Sequence, residues 1–501
     1  MGLTKTTYNL INGAPLNALD YGADSTGVAD STSALQAMFT AGGVVEIPSG
    51  TYKVTAPLTI GSGVKGVICN GKILSTYVGT QDTDVHPTLL FDGFSGFVEG
   101  VLHIENSTSS GAIASDGVQF KNCARIWVSG LRLKNVRFGL LLTVVTDFYI
   151  GSINGDTLRG WQGGAADNGG SIISMSGCER GRIDQITGAN IYKSAAYFSV
   201  DGVSGDNKDI DIGDISVSLY NPTLAVANGL GLRSAVNVKI GKLTSTGGIA
   251  GVFCSREETT YNIDNVYIGK VYVTNNQDVS SNSSAVLING TTAAPVGSVI
   301  IDEIYANNAL LHSLFVFNVG YLKVGHLKSV DPGQRGVLIA GTNGTVILDS
   351  CDMSSAGNQE ILVNTGTVMT QFQANNIIIR DRGADVTVPI NFTVDTVKNI
   401  ILGSIYDETV TPGYSAVTIF GNPASTVNVS IQYVKTAATN AASIRAAAIS
   451  AIAQGRFYQA TIPATSTWPL GTEIFKPSPT SGSNNSWVLT TTGFVATANL
   501  A

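Results

Sequence analysis

Acidic and basic residues follow three successive short apolar strands in the middle of the chain. Asp201 comes after the first strand, Arg233 after the second and Arg256-Glu257-Glu258 after the third. Two carboxyl groups about 6.5–9.5 Å apart are what an inverting glycosidase uses, one as proton donor and one to activate water. If these strands stack about 4.8 Å apart, Asp201 and Glu257 lie about 9–10 Å apart at the backbone. The pattern therefore predicts Asp201, Glu257 and Glu258 as acid/base candidates.

The basic and aromatic residues nearby suit a sugar substrate. Arg233 and Arg256 are expected to orient a sugar carboxylate or to keep one acid ionised. Three tyrosines flank the region and are expected to stack on sugar faces: Tyr192, Tyr220 and Tyr261. The alternative is that Arg256-Glu257-Glu258 is a solvated turn and that Asp201 caps a loop.

A long insertion, Asn154–Gly170, is a second candidate binding segment. It carries Asp156, Arg159, Trp161 and Asp167, and a loop with these side chains is suited to bind a glycan with the tryptophan as platform. The alternative is that Trp161 packs onto the body of the protein. A third acidic group is expected to be plain surface: Asp206, Asp209, Asp211 and Asp214.

The elements that position these residues form a repeat, in which an apolar residue is followed by Gly or Asp, any residue, and a second apolar residue. Instances are Ile150-Gly-Ser-Ile153, Ile183-Asp-Gln-Ile186, Ile212-Gly-Asp-Ile215, Ile240-Gly-Lys-Leu243, Ile268-Gly-Lys-Val271, Ile301-Asp-Glu-Ile304 and Val324-Gly-His-Leu327. Their spacing of 23 to 33 residues is typical of repeat architectures.

A second apolar strand precedes most of these motifs. Examples are Leu140-Leu-Leu, Ala196-Tyr-Phe, Gly251-Val-Phe-Cys and Leu314-Phe-Val-Phe. Two or three short strands per repeat, with no helix between them, exclude βαβ units. The sequence therefore predicts an all-β parallel β-helix, in which each repeat is one coil.

Composition narrows the class of protein. Only 13% of the 501 residues are charged, and 57 are glycine, well above the usual share of roughly 7%. The net charge of −7 argues against a nucleic-acid partner. Because there is no charged-then-apolar start and no run of 18 apolar residues, we expect neither a signal peptide nor a membrane span. Five scattered cysteines predict buried thiols, and the four histidines lack metal-site spacing, so we expect no metal and no cofactor.

The ends of a solenoid need caps, because the terminal coils would otherwise expose strand edges and core side chains. A helix over Ser31–Phe39, begun by Asp30 or Ser31, is predicted to cap the N-terminal end. Near the other end, Thr426–Val434 is predicted as a strand and Thr439–Gln454 as an alanine-rich helix. We expect an N-terminal arm at 1–16, the β-helix at 17–412, and a C-terminal cap and trimerisation region at 413–501.

Two segments resemble a known family. Asn17-Ala18-Leu19-Asp20-Tyr21-Gly22-Ala23, the acidic turn and helix after it, and Val44–Val54 resemble the opening of pectate-lyase-like right-handed parallel β-helix proteins, and specifically of bacteriophage tailspikes. Ser486-Trp-Val-Leu-Thr-Thr-Thr-Gly493, after proline–glycine turns, is similar to the terminal β element of many tailspikes and fibres. Here Ser486 and Leu489 replace the usual glycine and cysteine.

The resemblance implies a homotrimeric receptor-binding protein of the virion tail, folded in the bacterial cytoplasm. It implies attachment to a phage tail or baseplate protein through the N-terminus. It also implies binding and depolymerisation of a bacterial surface polysaccharide, either capsule or O-antigen. Glycoside hydrolysis is favoured over two alternatives, a lyase on the same fold and a non-catalytic glycan-binding fibre or adhesin.

Overall fold

A computed structural model describes the chain at residues 13–79, 86–107, 113–158, 169–200, 204–219, 227–256, 258–276, 283–382, 390–408, 415–421, 427–436, 440–445, 449–453, 456–458, 473–475, 486–490 and 493–496. The chain divides into two compact units. The first comprises Met1–Gly248 and Thr260–Val266, and the second comprises Ile249–Thr259 and Tyr267–Ala501.

The N-terminal part opens with a 3₁₀-helix and the predicted α-helix. The elements here are β1 (Leu16–Asn17), the 3₁₀-helix Ala18–Tyr21, β2 (Thr26–Asp30), α1 (Thr32–Ala41), β3 (Gly43–Ile47), β4 (Thr51–Val54), β5 (Leu58–Ile60), β6 (Val64–Cys69), β7 (Lys72–Ser75) and β8 (Val78–Gly79). Among the described residues α1 is the only α-helix. Its apolar side, with Leu35, Met38 and Phe39, is buried.

The rest of the first unit alternates short and long strands. They are β9 (Pro87–Asp92), β10 (Gly96–Asn106), β11 (Ile113–Ala114), β12 (Asp116–Lys121), β13 (Ala124–Lys134), β14 (Leu140–Thr143), β15 (Thr146–Leu158), β16 (Ile173–Ser176), β17 (Glu179–Ile191), β18 (Ser194–Phe198), β19 (Lys208–Leu219), β20 (Asn228–Leu232) and β21 (Ala235–Thr246).

The second unit continues with strands of the same two kinds. They are β22 (Ala250–Arg256), β23 (Ile263–Asn276, whose first four residues belong to the first unit), β24 (Ser284–Gly290), β25 (Val296–Ala309), β26 (His312–Phe317), β27 (Val319–Val330), β28 (Arg335–Ala340), β29 (Thr342–Ala356), β30 (Ile361–Arg382), β31 (Ile390–Asp407), β32 (Ser415–Gly421), β33 (Val427–Thr436), β34 (Asn440–Arg445), β35 (Ile449–Ala453), β36 (Arg456–Tyr458), β37 (Glu473–Phe475), β38 (Ser486–Thr490) and β39 (Gly493–Ala496).

Parallel pairing in each unit follows the sequence repeat residue for residue. In the first unit Ile150 pairs with Ile183, Ile183 with Ile212, and Ile212 with Ile240. In the second unit Ile301 pairs with Val324. All of these apolar side chains are buried. Stacked parallel strands joined without intervening helices make the right-handed parallel β-helix that the sequence predicted, and that prediction is confirmed.

The Gly or Asp position of the repeat is a corner where the parallel pairing is interrupted. A Cβ atom on Gly213 would lie 2.3 Å from the carbonyl oxygen of Asp184 in the preceding coil. The same atom on Gly151 would lie 2.4 Å from the Ser129 carbonyl, and on Gly241 it would lie 2.7 Å from the Gly213 carbonyl. Glycine therefore recurs in the repeat because successive coils approach each other closely at this corner.

The predicted N-terminal helix is confirmed as α1, although the hydrogen bonds at its start differ from the expected ones. Ser31 is the N-cap residue of α1, but its side chain does not cap the helix. Asp30 accepts the Thr32 amide instead, at 3.0 Å. The Ser31 hydroxyl accepts the Asp24 amide at 2.9 Å, and the Asp24 carboxylate accepts the amides of Thr26, Val28 and Ala29. The Thr26 hydroxyl, and then these backbone amides, lower the pKa of Asp24 to about 2.

The predicted alanine-rich helix at Thr439–Gln454 is wrong. Its described residues form two strands, in which Asn440–Arg445 pairs in parallel with β32 and Ile449–Ala453 pairs with β33. Alanine favours a helix only by a few tenths of a kcal/mol per residue, so the pairing edge of the preceding coil decides the conformation. Parallel pairing continues past residue 412 as far as β37, and β38 and β39 then form an antiparallel hairpin. The division of the chain at residues 16 and 412 stays a prediction.

The interior is mostly aliphatic, with several buried phenylalanines, and holds the cysteines. Cys69, Cys123, Cys178, Cys254 and Cys351 are all buried free thiols, as the sequence predicted. Burial raises the pKa of Cys69 to about 11 and that of Cys254 to about 12, so these thiols are inert. No helix in the described part of the chain is long and apolar enough to span a membrane.

Candidate functional site

The long strands of the first unit present one column of side chains on the side opposite the core. We call it the outer column, and its members pair in register from coil to coil: Phe97, Trp127, Tyr149, Arg182, Asp211 and Lys239. Each of them directly precedes a buried residue of the repeat, and side chains alternate along a strand, so the column faces outward. Six coils at about 4.8 Å give it a length of about 24 Å.

The aromatic part of the outer column forms a stacked platform. The Trp127 and Tyr149 ring centroids lie 6.1 Å apart with an interplanar angle of 15°. Trp127 stays 45% exposed, which is unusual for so large an apolar side chain. An exposed indole held parallel to a tyrosine ring offers a flat apolar surface to a ligand.

A carboxylate is fixed at the edge of this platform. The Tyr149 hydroxyl donates to Asp184 Oδ2 at 2.6 Å, and Arg182 Nε donates to Asp184 Oδ1 at 2.8 Å. The Tyr149 hydroxyl, followed by the Arg182 guanidinium, holds the pKa of Asp184 below its usual value. Asp184 is therefore an ionised hydrogen-bond acceptor or base, and it is unsuited to be a proton donor.

A second polar row borders the outer column across the corner. It consists of Ser152, Gln185, Asp214 and Lys242, which pair in register. One position further round, the Asn154 amide donates to the Thr187 hydroxyl at 2.9 Å. Hydroxyls, amides and charges thus flank the aromatic platform, a combination that suits a ligand with both apolar faces and many hydroxyl groups.

A ladder of left-handed residues lies at the start of the same strands. Asp147, Arg180, Asp209 and Asn237 all have φ near +55° and occupy equivalent positions in successive coils. Arg180 Nε donates to Asp147 at 2.7 Å, and the Asn237 amide donates to Asp209 at 2.9 Å. These side chains fix the turn that leads each coil into the outer column.

Only some of the predicted site residues lie in the part of the chain that the structure describes. Asp201, Glu257, Arg159, Trp161, Asp167 and Tyr220 lie outside the described residues, and Glu258 is exposed. Phe198 pairs with Leu232, and the Arg233 amide donates to the Phe198 carbonyl at 3.0 Å. Arg233 therefore comes next to Ser199 in register, and Asp201 lies two residues further along. The acid roles of Asp201, Glu257 and Glu258 stay predictions.

Other predicted ligand residues are engaged in the fold. Arg256 donates to the Pro295 carbonyl at 2.7 Å, which fixes its guanidinium on neighbouring backbone. Asp156 accepts from the Thr157 hydroxyl at 2.9 Å. Tyr192 and Tyr261 are only 7% and 4% exposed, so the expectation that these two rings stack on sugars is wrong. Both residues lie in connections between strands, Tyr192 directly after β17 and Tyr261 before β23, and both are buried there.

Of the four acidic residues that were expected to be plain surface, two have structural contacts. Asp206 accepts from the Ser234 hydroxyl at 2.9 Å and from the Asn262 amide N–H at 2.8 Å, so it joins turns far apart in the chain. Asp209 belongs to the left-handed ladder and is exposed, and Asp211 and Asp214 are exposed too, as predicted. Within the described residues no group of three or more His, Cys, Asp or Glu is arranged to hold a metal ion.

Sequence reasoning missed the outer column, although a signal was present. The residue one position before each repeat motif reads Tyr149, Arg182, Asp211 and Lys239, and the residue before Val128 is Trp127. Reading that position down the repeat would have found an aromatic-to-charged stripe. The predicted carboxylates, in contrast, follow the short strands in the sequence.

The fold belongs to the class of right-handed parallel β-helix proteins. Among solved structures with this fold, a double mutant of the tailspike protein of E. coli bacteriophage HK620 has 12% sequence identity and a TM-score of 0.51, over 97% of this chain and 90% of that chain. A mutant of the same tailspike in complex with a hexasaccharide has 13% identity and a TM-score of 0.47, over 98% and 93% of the two chains.

A bacterial surface protein also matches. PfbA, a surface adhesin of Streptococcus pneumoniae, has 12% identity and a TM-score of 0.32, over 77% of this chain and 93% of that chain. The sequence matches no protein-family model and no curated protein. The match with a TM-score of 0.51 shows a shared fold alone, and at 12% identity function has to be argued from the chemistry of the site.

Proposed function

We propose that this chain is a phage tailspike that binds a bacterial surface polysaccharide, capsule or O-antigen, and depolymerises it by glycoside hydrolysis. The observation that carries the proposal is the outer column, in which the exposed Trp127 stacks on Tyr149 beside the ionised Asp184. Pyranose rings have apolar C–H faces and polar edges, which match an aromatic platform bordered by hydrogen-bonding groups. The length of about 24 Å suits an extended chain of several sugars.

We propose that hydrolysis uses the predicted acids Asp201 and Glu257, each of which follows a short strand in the sequence. One of Asp201 and Glu257 gives its proton to the oxygen of the leaving sugar as the glycosidic bond breaks. The other removes a proton from water, whose oxygen forms the new bond to the anomeric carbon. Glu258 is the third candidate for either role. Asp184, held ionised, accepts hydrogen bonds from substrate hydroxyls.

The proposal includes a homotrimer, which the resemblance of Asn17–Ala23 and Ser486–Gly493 to tailspike segments implies. We propose that the N-terminal arm attaches this trimer to a tail or baseplate protein of the virion.

The test is incubation with a panel of purified capsular and O-antigen polysaccharides. Hydrolysis predicts shorter chains with new reducing ends from at least one polysaccharide. Ultraviolet absorbance of an unsaturated uronate would indicate a lyase instead, and binding without shortening would indicate an adhesin. Asp201→Asn and Glu257→Gln should abolish cleavage and retain binding, whereas Glu99→Gln, at an exposed carboxylate on β10, should change neither.

A further inference from the structure

The long strands of the second unit carry an aromatic and cationic surface with no part in the proposed cleavage. We call it the tyrosine face, and it consists of Lys270, Tyr272, Glu303, Tyr305 and Lys328. The Tyr272 and Tyr305 ring centroids lie 6.1 Å apart, with the planes tilted by 41°. Both side chains are half-buried. Two adjoining rings on adjacent strands give an apolar patch at the surface, whose two faces meet at an angle.

A lysine covers one end of this patch. Lys328 pairs in register with Tyr305, and its Nζ lies 5.6 Å from the Tyr305 ring centroid. Within the described part of the second unit, the ion pairs on the long strands are Lys270–Glu303, Lys323–Asp349, Arg380–Asp352 and Arg380–Glu408. None of them includes Lys328. Its ammonium is thus held over an aromatic ring without a carboxylate partner.

The Lys270–Glu303 pair forms the adjoining edge of the tyrosine face. Lys270 Nζ lies 3.0 Å from Glu303 Oε2, two residues before Tyr272 and Tyr305 on their strands. This pair offers both a donor and an acceptor beside the rings. Tyr272, Tyr305 and Lys328 stand on three successive strands, so the face is about 10 Å long at the backbone. That length suits one or two sugar residues.

We propose that the tyrosine face is a second glycan-binding site that takes a uronic acid residue. The C–H face of the pyranose packs on Tyr305 and Tyr272, and its carboxylate pairs with the Lys328 ammonium. The Lys270–Glu303 pair binds ring hydroxyls. The proposal extends the proposed glycan-binding function to a separate surface and to an anionic sugar, and it requires neither cleavage nor the outer column. A whole polyanion is disfavoured as ligand because the chain carries a net charge of −7.

The test is saturation-transfer NMR on the full chain with two matched probes, methyl β-D-glucuronoside and methyl β-D-glucoside. The proposal predicts saturation of the glucuronoside at least about threefold above that of the glucoside, as expected for a weak surface ion pair. Lys328→Met should reduce the glucuronoside signal to that of the glucoside, and Lys328→Arg should preserve it. Lys323→Met, on the same strand, removes one ammonium elsewhere and should leave the signal unchanged.

Two results would overturn the proposal. One is equal saturation of the two probes by the unaltered protein. The other is a glucuronoside signal that survives in Lys328→Met, which would place the sugar elsewhere. Trp127→Ala, which removes the platform of the outer column, should not affect the glucuronoside signal. The two variants therefore distinguish a failure of the proposed function at the outer column from a failure of the tyrosine face. Lys328→Gln repeats the test if the methionine variant does not fold.

Discussion

The Tyr149 hydroxyl donates a 2.6 Å hydrogen bond to Asp184 Oδ2, although 35 residues separate them in sequence. The contact exists because the repeat places Tyr149 and Arg182 in the same outward column of adjacent coils, with the Asp184 corner two residues further along. A parallel β-helix thus builds a three-residue polar site from two coils. The site fixes both the orientation of the platform ring and the charge of the carboxylate beside it.

Tyr149→Phe should raise the pKa of Asp184 toward its ordinary value. The Tyr149 hydroxyl is the largest of the influences that lower that pKa, and the Arg182 guanidinium remains in the variant. A raised pKa means that, as the pH falls, the carboxylate loses its charge earlier. Glycan binding that depends on this charge should therefore be lost at a less acidic pH than in the unaltered protein. Carbon-13 NMR titration of the aspartate carboxyl groups measures the shift.

Tyr267→Phe is the matched control for that titration. In the second unit the Tyr267 hydroxyl donates to Asp302, so the control removes the same type of contact from a different aspartate. It should leave the titration of Asp184 unchanged. An Asp184 pKa that is the same in Tyr149→Phe and in the unaltered protein would contradict the assignment of this hydrogen bond.

Trp127→Ala should weaken binding of a recognised polysaccharide about tenfold, which corresponds to about 1.4 kcal/mol. The indole is already 45% exposed, so its removal should cost little stability. Calorimetric titration and thermal unfolding measure the two effects. Trp127→Phe keeps an aromatic ring over Tyr149 and should recover part of the affinity. Equal affinity of the alanine variant and the unaltered protein would remove Trp127 from the site.

Gly213→Ala should destabilise the first unit by about 1–3 kcal/mol, the usual cost of overpacking. The added Cβ would lie 2.3 Å from the Asp184 carbonyl oxygen, so the coils must move apart at the corner. The same shift should disturb Asp184 and weaken glycan binding. Gly205→Ala is the control, because a Cβ there meets nothing within 4 Å and the backbone is not left-handed. Equal unfolding midpoints in urea for the two variants would contradict the close approach.

His312 should make stability depend on pH in a window between about 4 and 6.5. Burial, and then the charge of Arg335, lower the pKa of His312 to about 4. The unfolded chain therefore binds a proton near pH 6.5 while the folded chain does not. Stability due to this group is present above pH 6.5 and is lost as the pH falls toward 4, by at most about 3 kcal/mol.

His312→Leu should flatten that dependence. Unfolding midpoints of both proteins, measured at pH 4 to 7, give the difference that belongs to His312 and cancel the contribution of the carboxylates. The two curves should diverge as the pH falls below 6.5, with the unaltered protein losing more stability. Parallel curves would show that His312 has the same pKa in the folded and unfolded chains, and would contradict the lowered pKa.

The repeat and the N-terminal cap were predictable because both depend on local patterns of apolar, glycine and capping residues. The spacing of Ile150, Ile183 and Ile212 gave the register of the coils directly, since side chains that stack in a β-helix must match coil by coil. The helix predicted at Thr439–Gln454 failed because its alanines carry little preference, and the open edge of the preceding coil decided the outcome.

The candidate site was less predictable, for a geometric reason. Tyr192 and Tyr261 flank the predicted acids in sequence, yet burial is set by how each turn packs, which sequence spacing does not reveal. Trp127 and Asp184 are 57 residues apart, and only the register brings both beside Tyr149. The repeat already contained that register. The outer column can be predicted from the residue that directly precedes each repeat motif.

The most direct test of the account is a crystal structure of the Glu257→Gln variant with an oligosaccharide fragment of a recognised polysaccharide. We expect a sugar ring packed against Trp127, a hydroxyl of that oligosaccharide hydrogen-bonded to Asp184, and further sugars along the outer column. A fragment bound with no contact to Trp127, Tyr149 or Asp184 would contradict it.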